Sequence, residues 1–531
     1  MKHAFYNGRV YTGALPLQEA FLVEEGHFCA VGSSEEILAL SYDQKTDLEG
    51  KFVCSGFNDS HMHLLSLGRA LTVAPLANRT GSLEDMIACL RETPPGQGGW
   101  ILGRGWNQDL FSDVSRMPNR HDLDRVSTKY PVCATRACGH ALCLNSRALE
   151  EIGITAHSPQ PEGGEIGMTD GQPNGLLFDS AMDYVLKQLP LPEKDTVKEL
   201  LRLACLALNA QGITSCQSDD YSAFQGLPWE TVNQAFQELE ESGELTVRVY
   251  EQANLPELAQ LEAFLKAGNN TGKGSEMFRI GPLKLLGDGA LGARTAYLSQ
   301  PYADDPESLG LCIFSQEKFD ALIGCAHENG MQTAVHCIGD ACLDMVLKSI
   351  EKALAFHPRT DHRHGIVHCQ ITRPEQLDAM AKLNLHIYAQ SIFLDYDIHI
   401  VEERCGKDLA RSSYSWKTLL RKGCTVSNGS DCPVEYPNVM CGIQCAVTRQ
   451  DLKGFGPYLA QEAFTVQEAI DSFTTAGAYA SFEENTKGRI IPGMLADFTV
   501  LGEDPFRTDP RNLNNIPIVS TWLGGKMVFS R

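Results

Sequence analysis

Three things are scarce in this chain of 531 residues, and each scarcity removes a class of function. Basic residues are outnumbered, 45 Lys and Arg against 67 Asp and Glu, which gives a formal charge of -22. A broad face for nucleic acid or an anionic membrane needs a local Lys/Arg excess, so neither partner is expected. No uninterrupted apolar run reaches the roughly 18 residues that a membrane helix requires. The opening residues Met1-Lys2-His3-Ala4-Phe5-Tyr6 lack the apolar core of a signal peptide, and no repeat or low-complexity tract interrupts the chain. The 18 cysteines are scattered rather than set in a short framework, so reduced, mostly buried thiols are expected. Together these readings predict a soluble, cytoplasmic protein. Apolar material is plentiful by contrast, at 43% hydrophobic and 21% charged residues, enough for a large core.

The first 54 residues read as short strands joined by glycine turns, and residues 485–531 behave in the same way. This predicts a small β-sandwich built from both chain termini. Residues 55–484 alternate short β-branched runs with longer helical patterns, the signature of parallel strands with helical crossovers. Candidate strands cover 53–58, 212–218, 245–251, 283–286, 333–337, 365–369, 386–390 and 424–428. The fold class is therefore α/β, a (β/α)8 TIM-like barrel whose chemistry gathers at the C-terminal ends of its strands. More than a hundred residues separate the first and second candidate strands, which predicts a large insertion, about 75–200, over the barrel mouth.

The sharpest local signal is Asn58-Asp59-Ser60-His61-Met62-His63. Side chains alternate along an extended backbone, so His61 and His63 face one side and can bind one cation. Three further strand ends carry a residue able to bind metal: His336, His368 and Asp431. His336 and His368 lie about one strand-helix unit apart, and His368 and Asp431 about two, which brings all five residues to one rim. Imidazole and carboxylate donors suit Zn²⁺ first, and Mn²⁺ or Fe²⁺ as well. Any one of these histidines alone could equally satisfy a buried backbone group.

These residues sit in a longer series of motifs. It runs from Gly56-Phe57-Asn58-Asp59-Ser60-His61-Met62-His63 through Gly139-His140-Ala141-Leu142 and Lys284-Leu285-Leu286-Gly287-Asp288-Gly289. It continues through Ala334-Val335-His336, His368-Cys369-Gln370, Gly429-Ser430-Asp431 and Ala446-Val447-Thr448-Arg449. The ordered set resembles the amidohydrolase superfamily over nearly the whole chain, and within it the YtcJ-like branch that includes N-substituted formamide deformylases. The resemblance implies a metal-dependent hydrolase with one or two divalent ions and a small-molecule substrate. It makes His61 and His63 ligands of one metal, His336 and His368 ligands of a second, and Asp431 both a ligand and the proton carrier. Lys284 falls where many members carry a carboxylated lysine bridging two metals; its ordinary alternative is a salt bridge to Asp288 or another rim carboxylate. His140 and Arg294 are candidates for holding substrate or oxyanion, with structural hydrogen bonding as the alternative for each. Trp106 is expected in a core rather than a pocket wall. Cys143 and Cys432 stand where relatives carry aromatics, which weakens inference about substrate.

The expected reaction is hydrolysis of a non-peptide C–N bond in an amide, formamide or cyclic amide. Deamination or ester hydrolysis could use the same activated water, and a non-catalytic barrel scaffold is a third reading. Gly287-Asp288-Gly289-Ala290-Leu291-Gly292 resembles a dinucleotide fingerprint but lacks the two-strand context, so no such cofactor is expected. Self-association is left open.

Overall fold

The structure is a computed structural model and describes residues 1–79, 81–137, 141–161, 164–186 and 191–531. The chain divides into two compact units. The first comprises Met1–Leu64, Cys205–Ala223 and Phe236–Arg531; the second comprises Leu65–Ala204 and Phe224–Ala235.

Eight parallel strands form the centre of the first unit: β1 (Phe57–Met62), β2 (Ile213–Ser218), β3 (Arg248–Asn254), β4 (Phe278–Leu286), β5 (Thr333–Cys337), β6 (Gly365–His368), β7 (His386–Ala389) and β8 (Val426–Asn428). Each pairs with its neighbour in chain order, and helices such as Gln316–Glu328, Asp340–Phe356 and Pro374–Lys382 make the crossovers. This is the TIM-like barrel that the alternating pattern predicts. The interior is packed at the strands' N-terminal end: Gln332 donates from Nε2 to the carbonyls of Arg363 (2.6 Å) and Ala480 (3.1 Å), and Tyr250 donates to Gln332 Oε1 at 3.1 Å. The helix Thr475–Ala480 lies against β1 so tightly that a Cβ on Gly477 would fall 2.3 Å from Asn58 Oδ1.

The first expected strand needs a correction. Phe52–Ser55 belongs to a different sheet, and the barrel strand begins only at Phe57. The apolar run of the sequence thus spans two strands on either side of Gly56, and hydrophobicity alone gives no break between them. β3 likewise starts and ends three residues later than expected.

Two sheets contain the strands of the chain ends. One is four-stranded and lies within Lys2–Asp47; the other joins Arg9–Val10 and Phe52–Ser55 to Phe498–Leu501, Ile518–Leu523 and Lys526–Ser530. Their aromatic residues share one cluster: Phe5 stacks on Phe21 at 4.9 Å and meets Phe498 and Trp522 edge-on, each at 5.1 Å. Arg248 at the start of β3 forms a buried bidentate pair with Asp497, Nε to Oδ2 at 2.7 Å and Nη2 to Oδ1 at 3.1 Å. Removing one partner of such a pair strands the other charge. Arg248→Met is expected to destabilise the protein by about 3–5 kcal/mol, and Arg248→Met/Asp497→Leu by clearly less, both read from denaturant melts.

The second unit contains a six-stranded sheet ordered Gly164–Thr169, Gln172–Asp179, Ala141–Leu144, Val132–Arg136, Ile101–Trp106, Ala74–Pro75. Trp106 is fully buried in its core beside Leu76, Leu90 and Cys143, and its indole donates to the Ala134 carbonyl at 2.9 Å. Among the described residues no helix is long and apolar enough to cross a membrane.

Candidate metal centre

His61 lies near the end of β1 and His63 directly follows it, and their Nε2 atoms lie 3.3 and 3.1 Å from the same oxygen, Oδ1 of Asp431. His61, His63 and Asp431 form a cluster with one donor atom each within 4.8 Å of one another. Ring centroids place His368 5.6 Å from His61 and His336 4.4 Å from His368, so the four histidines of the sequence reading gather at one rim. Lys284, buried near the end of β4, has Nζ 3.7 Å from Asp219 Oδ2. Its partner is the rim carboxylate after β2 and not Asp288.

The outer nitrogens fix the tautomers. Each of three Nδ1 atoms has an oxygen partner: His61 with Gln252 Oε1 (2.7 Å), His63 with the Asp219 carbonyl (3.0 Å) and His368 with Gln390 Oε1 (2.8 Å). A carbonyl oxygen can only accept, so these Nδ1 atoms carry the hydrogen, which leaves Nε2 of a neutral ring free to bind a cation. His336 is turned the other way: its Nε2 donates to the Gly289 carbonyl at 3.1 Å, with Asp288 Oδ1 at 3.4 Å, which leaves the lone pair on Nδ1. A set of imidazole lone pairs, each ring held through its other nitrogen, together with a carboxylate fits a divalent cation.

Electrostatics agree with this donor set. Burial pushes His336 down to about 3, with the Lys284 ammonium adding to the shift. Burial also lowers His368, and likewise His61. All three are neutral near pH 7, as ligands must be. Burial opposes charge on His63 too, but Asp431 and Asp219 outweigh it and raise this ring to about 9. Burial alone would raise Asp431, yet its contacts with the His61 and His63 rings, of which His63 is the protonated one, hold it well below the carboxylate range. Asp219, also opposed by burial, is held low chiefly by Lys284.

Other candidates lie elsewhere. The Arg294 guanidinium is engaged by Asp304, Nη2 to Oδ2 at 2.6 Å and Nε to Oδ1 at 3.2 Å, the structural alternative for this residue. His140 lies outside the described residues. Cys432 is 1% exposed and burial raises its thiol, so it stays protonated; its carbonyl accepts from the His63 amide at 2.8 Å. The loop from Gly287 is tied by Asp288, which accepts the amides of Tyr297, Ile338 and Gly339 at 2.7–3.0 Å. Not every buried histidine belongs here: His327, His362 and His364 satisfy one another and nearby carbonyls around the N-terminal ends of β5 and β6.

The sequence reading missed Asp219, Gln252 and Gln390. Asp219 directly follows the strand run 212–218, so a carboxylate at a strand end was the available signal. The glutamines carry no such signal, because their role exists only through imidazoles contributed by other strands.

The sequence model of the amidohydrolase family matches residues 44–529. The chain is 33% identical to a putative amidohydrolase, YtcJ, of Bacillus subtilis (strain 168), over the full length of both. It is 26% identical to an N-substituted formamide deformylase of Arthrobacter pascens, covering 97% of this chain and 95% of that one. Among solved structures it resembles an uncharacterized metal-dependent hydrolase from Pyrococcus furiosus, with a TM-score of 0.80, 27% identity, and coverage of 96% and 100%.

Proposed function

The chain belongs to the amidohydrolase family, and from that premise we propose that it is a metal-dependent hydrolase of a non-peptide C–N bond in an amide, formamide or cyclic amide. The observation that carries the reading is the convergence of His61, His63 and Asp431, with both Nδ1 atoms engaged from behind. Similarity to an N-substituted formamide deformylase supports formamides within that class.

His61, His63 and Asp431 would hold one divalent ion, with His336 and His368 available for a second. Zinc suits these donors, and manganese or iron would also fit. When bound, such an ion acidifies water and polarises a carbonyl. Asp431 takes the proton of the attacking water and returns it to the leaving nitrogen, which departs as a neutral amine. His61 and His63 orient that carboxylate through its shared oxygen. The Asp219 carbonyl and Gln252 keep both rings from turning.

Turnover of N-formyl, N-acyl and cyclic amides by the metal-loaded enzyme, with product identification, tests the bond class. Release of ammonia alone would move the reading to deamination, and an ester-only profile to esterase chemistry. Metal uptake supplies an independent check. His63, at about 9, is protonated at neutral pH in the metal-free protein, and a cation must displace that proton. Zinc added at pH 7.5 is expected to release about one proton from His63, and affinity should climb as pH approaches 9. A pH-indicator titration that reads no release would remove His63 from the ligand set.

A further inference from the structure

The barrel's hydrogen-bonded strand order runs from β8 round to β1, and among the described residues no ladder joins those two edges. The active centre is built across this seam, with His61 and His63 on one side and Asp431 on the other. Single contacts close it. Ser60 Oγ donates to the Asn428 carbonyl at 2.7 Å, and the Asp431 amide donates to the His61 carbonyl at 2.8 Å. Between them sits Asp59, 1% exposed. Its Oδ1 accepts the Ser430 amide at 3.0 Å and the His61 amide at 3.4 Å, and its Oδ2 accepts the Ser430 hydroxyl at 2.5 Å.

Two backbone features show why such a clamp is needed. Asp431 has φ 57, in the left-handed region that non-glycine residues avoid, so its placement must be imposed by its neighbours. Gly429 packs directly on β1: a Cβ there would lie 2.6 Å from the His61 amide and 2.7 Å from Asp59 Oδ1. The segment 429–431 is thus pressed onto the end of β1, and Asp59 is the side chain that grips it. Both of its oxygens are committed to these donors, so it acts through Asp431 and does not itself meet the reacting atoms.

We propose that Asp59 is a positioning residue that grips Ser430 across the β1/β8 seam and thereby fixes the Asp431 carboxylate against His61 and His63. The inference rests on the reading of Asp431 as ligand and proton carrier. It assigns the Asp59-x-His61-x-His63 segment a double task, with its histidines presented to the cation and its aspartate aligning the opposing strand.

The test uses the full-length enzyme with Asp59→Asn and Ser430→Ala, which weaken the grip from opposite sides, and each combined with Asp431→Asn. Asp59→Asn is expected to lower kcat by about 10–100-fold, the range found when groups supporting a metal ligand are removed, with KM changed less than about twofold. Ser430→Ala should move kcat in the same direction. Neither should reduce turnover further once Asp431 is Asn, because residues acting through one group are non-additive. Cobalt(II)-substituted protein gives a readout independent of substrate: its visible absorption band should shift in both variants, since the carboxylate it reports has moved. Wild-type kcat and an unshifted cobalt spectrum in Ser430→Ala would overturn the proposal, as would losses that multiply with Asp431→Asn. If Asp59→Asn fails to fold, Ser430→Ala carries the test alone. Wild-type turnover by Asp431→Asn would instead sink the underlying assignment of the proton carrier, which is a distinguishable result.

Discussion

Asp431→Asn is expected to lower kcat by about three orders of magnitude or more while leaving the protein folded. The substitution keeps the shape of the side chain and one carbonyl oxygen, so packing in this buried position is preserved. It removes the two properties that the site uses. An amide takes no proton from water at neutral pH, and it brings no negative charge to a centre where His61 and His63 converge on one oxygen. Its NH2 group, if turned inward, would present hydrogens where a carboxylate presents lone pairs. Metal content should therefore fall together with rate, and restoring full occupancy with excess metal should recover only part of the loss, because proton transfer stays absent. Steady-state kinetics on samples of measured metal content separate the two effects. Full recovery on saturation with metal would make Asp431 a ligand only and would move the proton carrier elsewhere.

The residues that made this prediction available are those whose position in sequence already implies a position in space. A strand end is local information, and His61, His63, His336, His368 and Asp431 each follow a short apolar run, so the barrel rule assembles them without further data. What held them in place was not local. Gln252 and Gln390 are ordinary polar residues until the barrel sets them behind His61 and His368. Arg294 had the chemistry of an oxyanion holder, yet Asp304, ten residues on, engages it, and nothing in its spacing announces that pair. The first strand differs for a related reason: residues 53–58 read as one strand, whereas the chain passes from the sheet that joins its two ends into the barrel at Gly56. The change of sheet depends on partners from Phe498–Leu501 on one side and Ile213–Ser218 on the other, both far outside any local sequence window.

Lys284→Met is expected to destabilise the metal-free protein by about 3–5 kcal/mol. Lys284 and Asp219 are both buried, 1% and 0% exposed, with Nζ 3.7 Å from Oδ2. Methionine matches the length of the chain but supplies no charge, so the Asp219 carboxylate loses its largest counter-charge and keeps the neutral hydrogen bonds from Asn254 and Ser222, each 2.9 Å, with the protonated His63 ring as its remaining cation. If the stranded charge is the cause, Asp219→Asn in the same chain should return much of the lost stability, and denaturant melts of the single and double variants measure that coupling. The same pair bears on carboxylation. An ammonium opposite a carboxylate is charge-balanced, whereas a carbamate on Lys284 would replace that cation with a second anion beside Asp219. Lys284 is therefore expected to be unmodified in metal-free protein and to take up CO2 only when two ions are supplied together with bicarbonate. Intact-mass spectra before and after loading under native conditions read this directly. A carbamate already present without metal would show that Asp219 does not govern the state of Lys284.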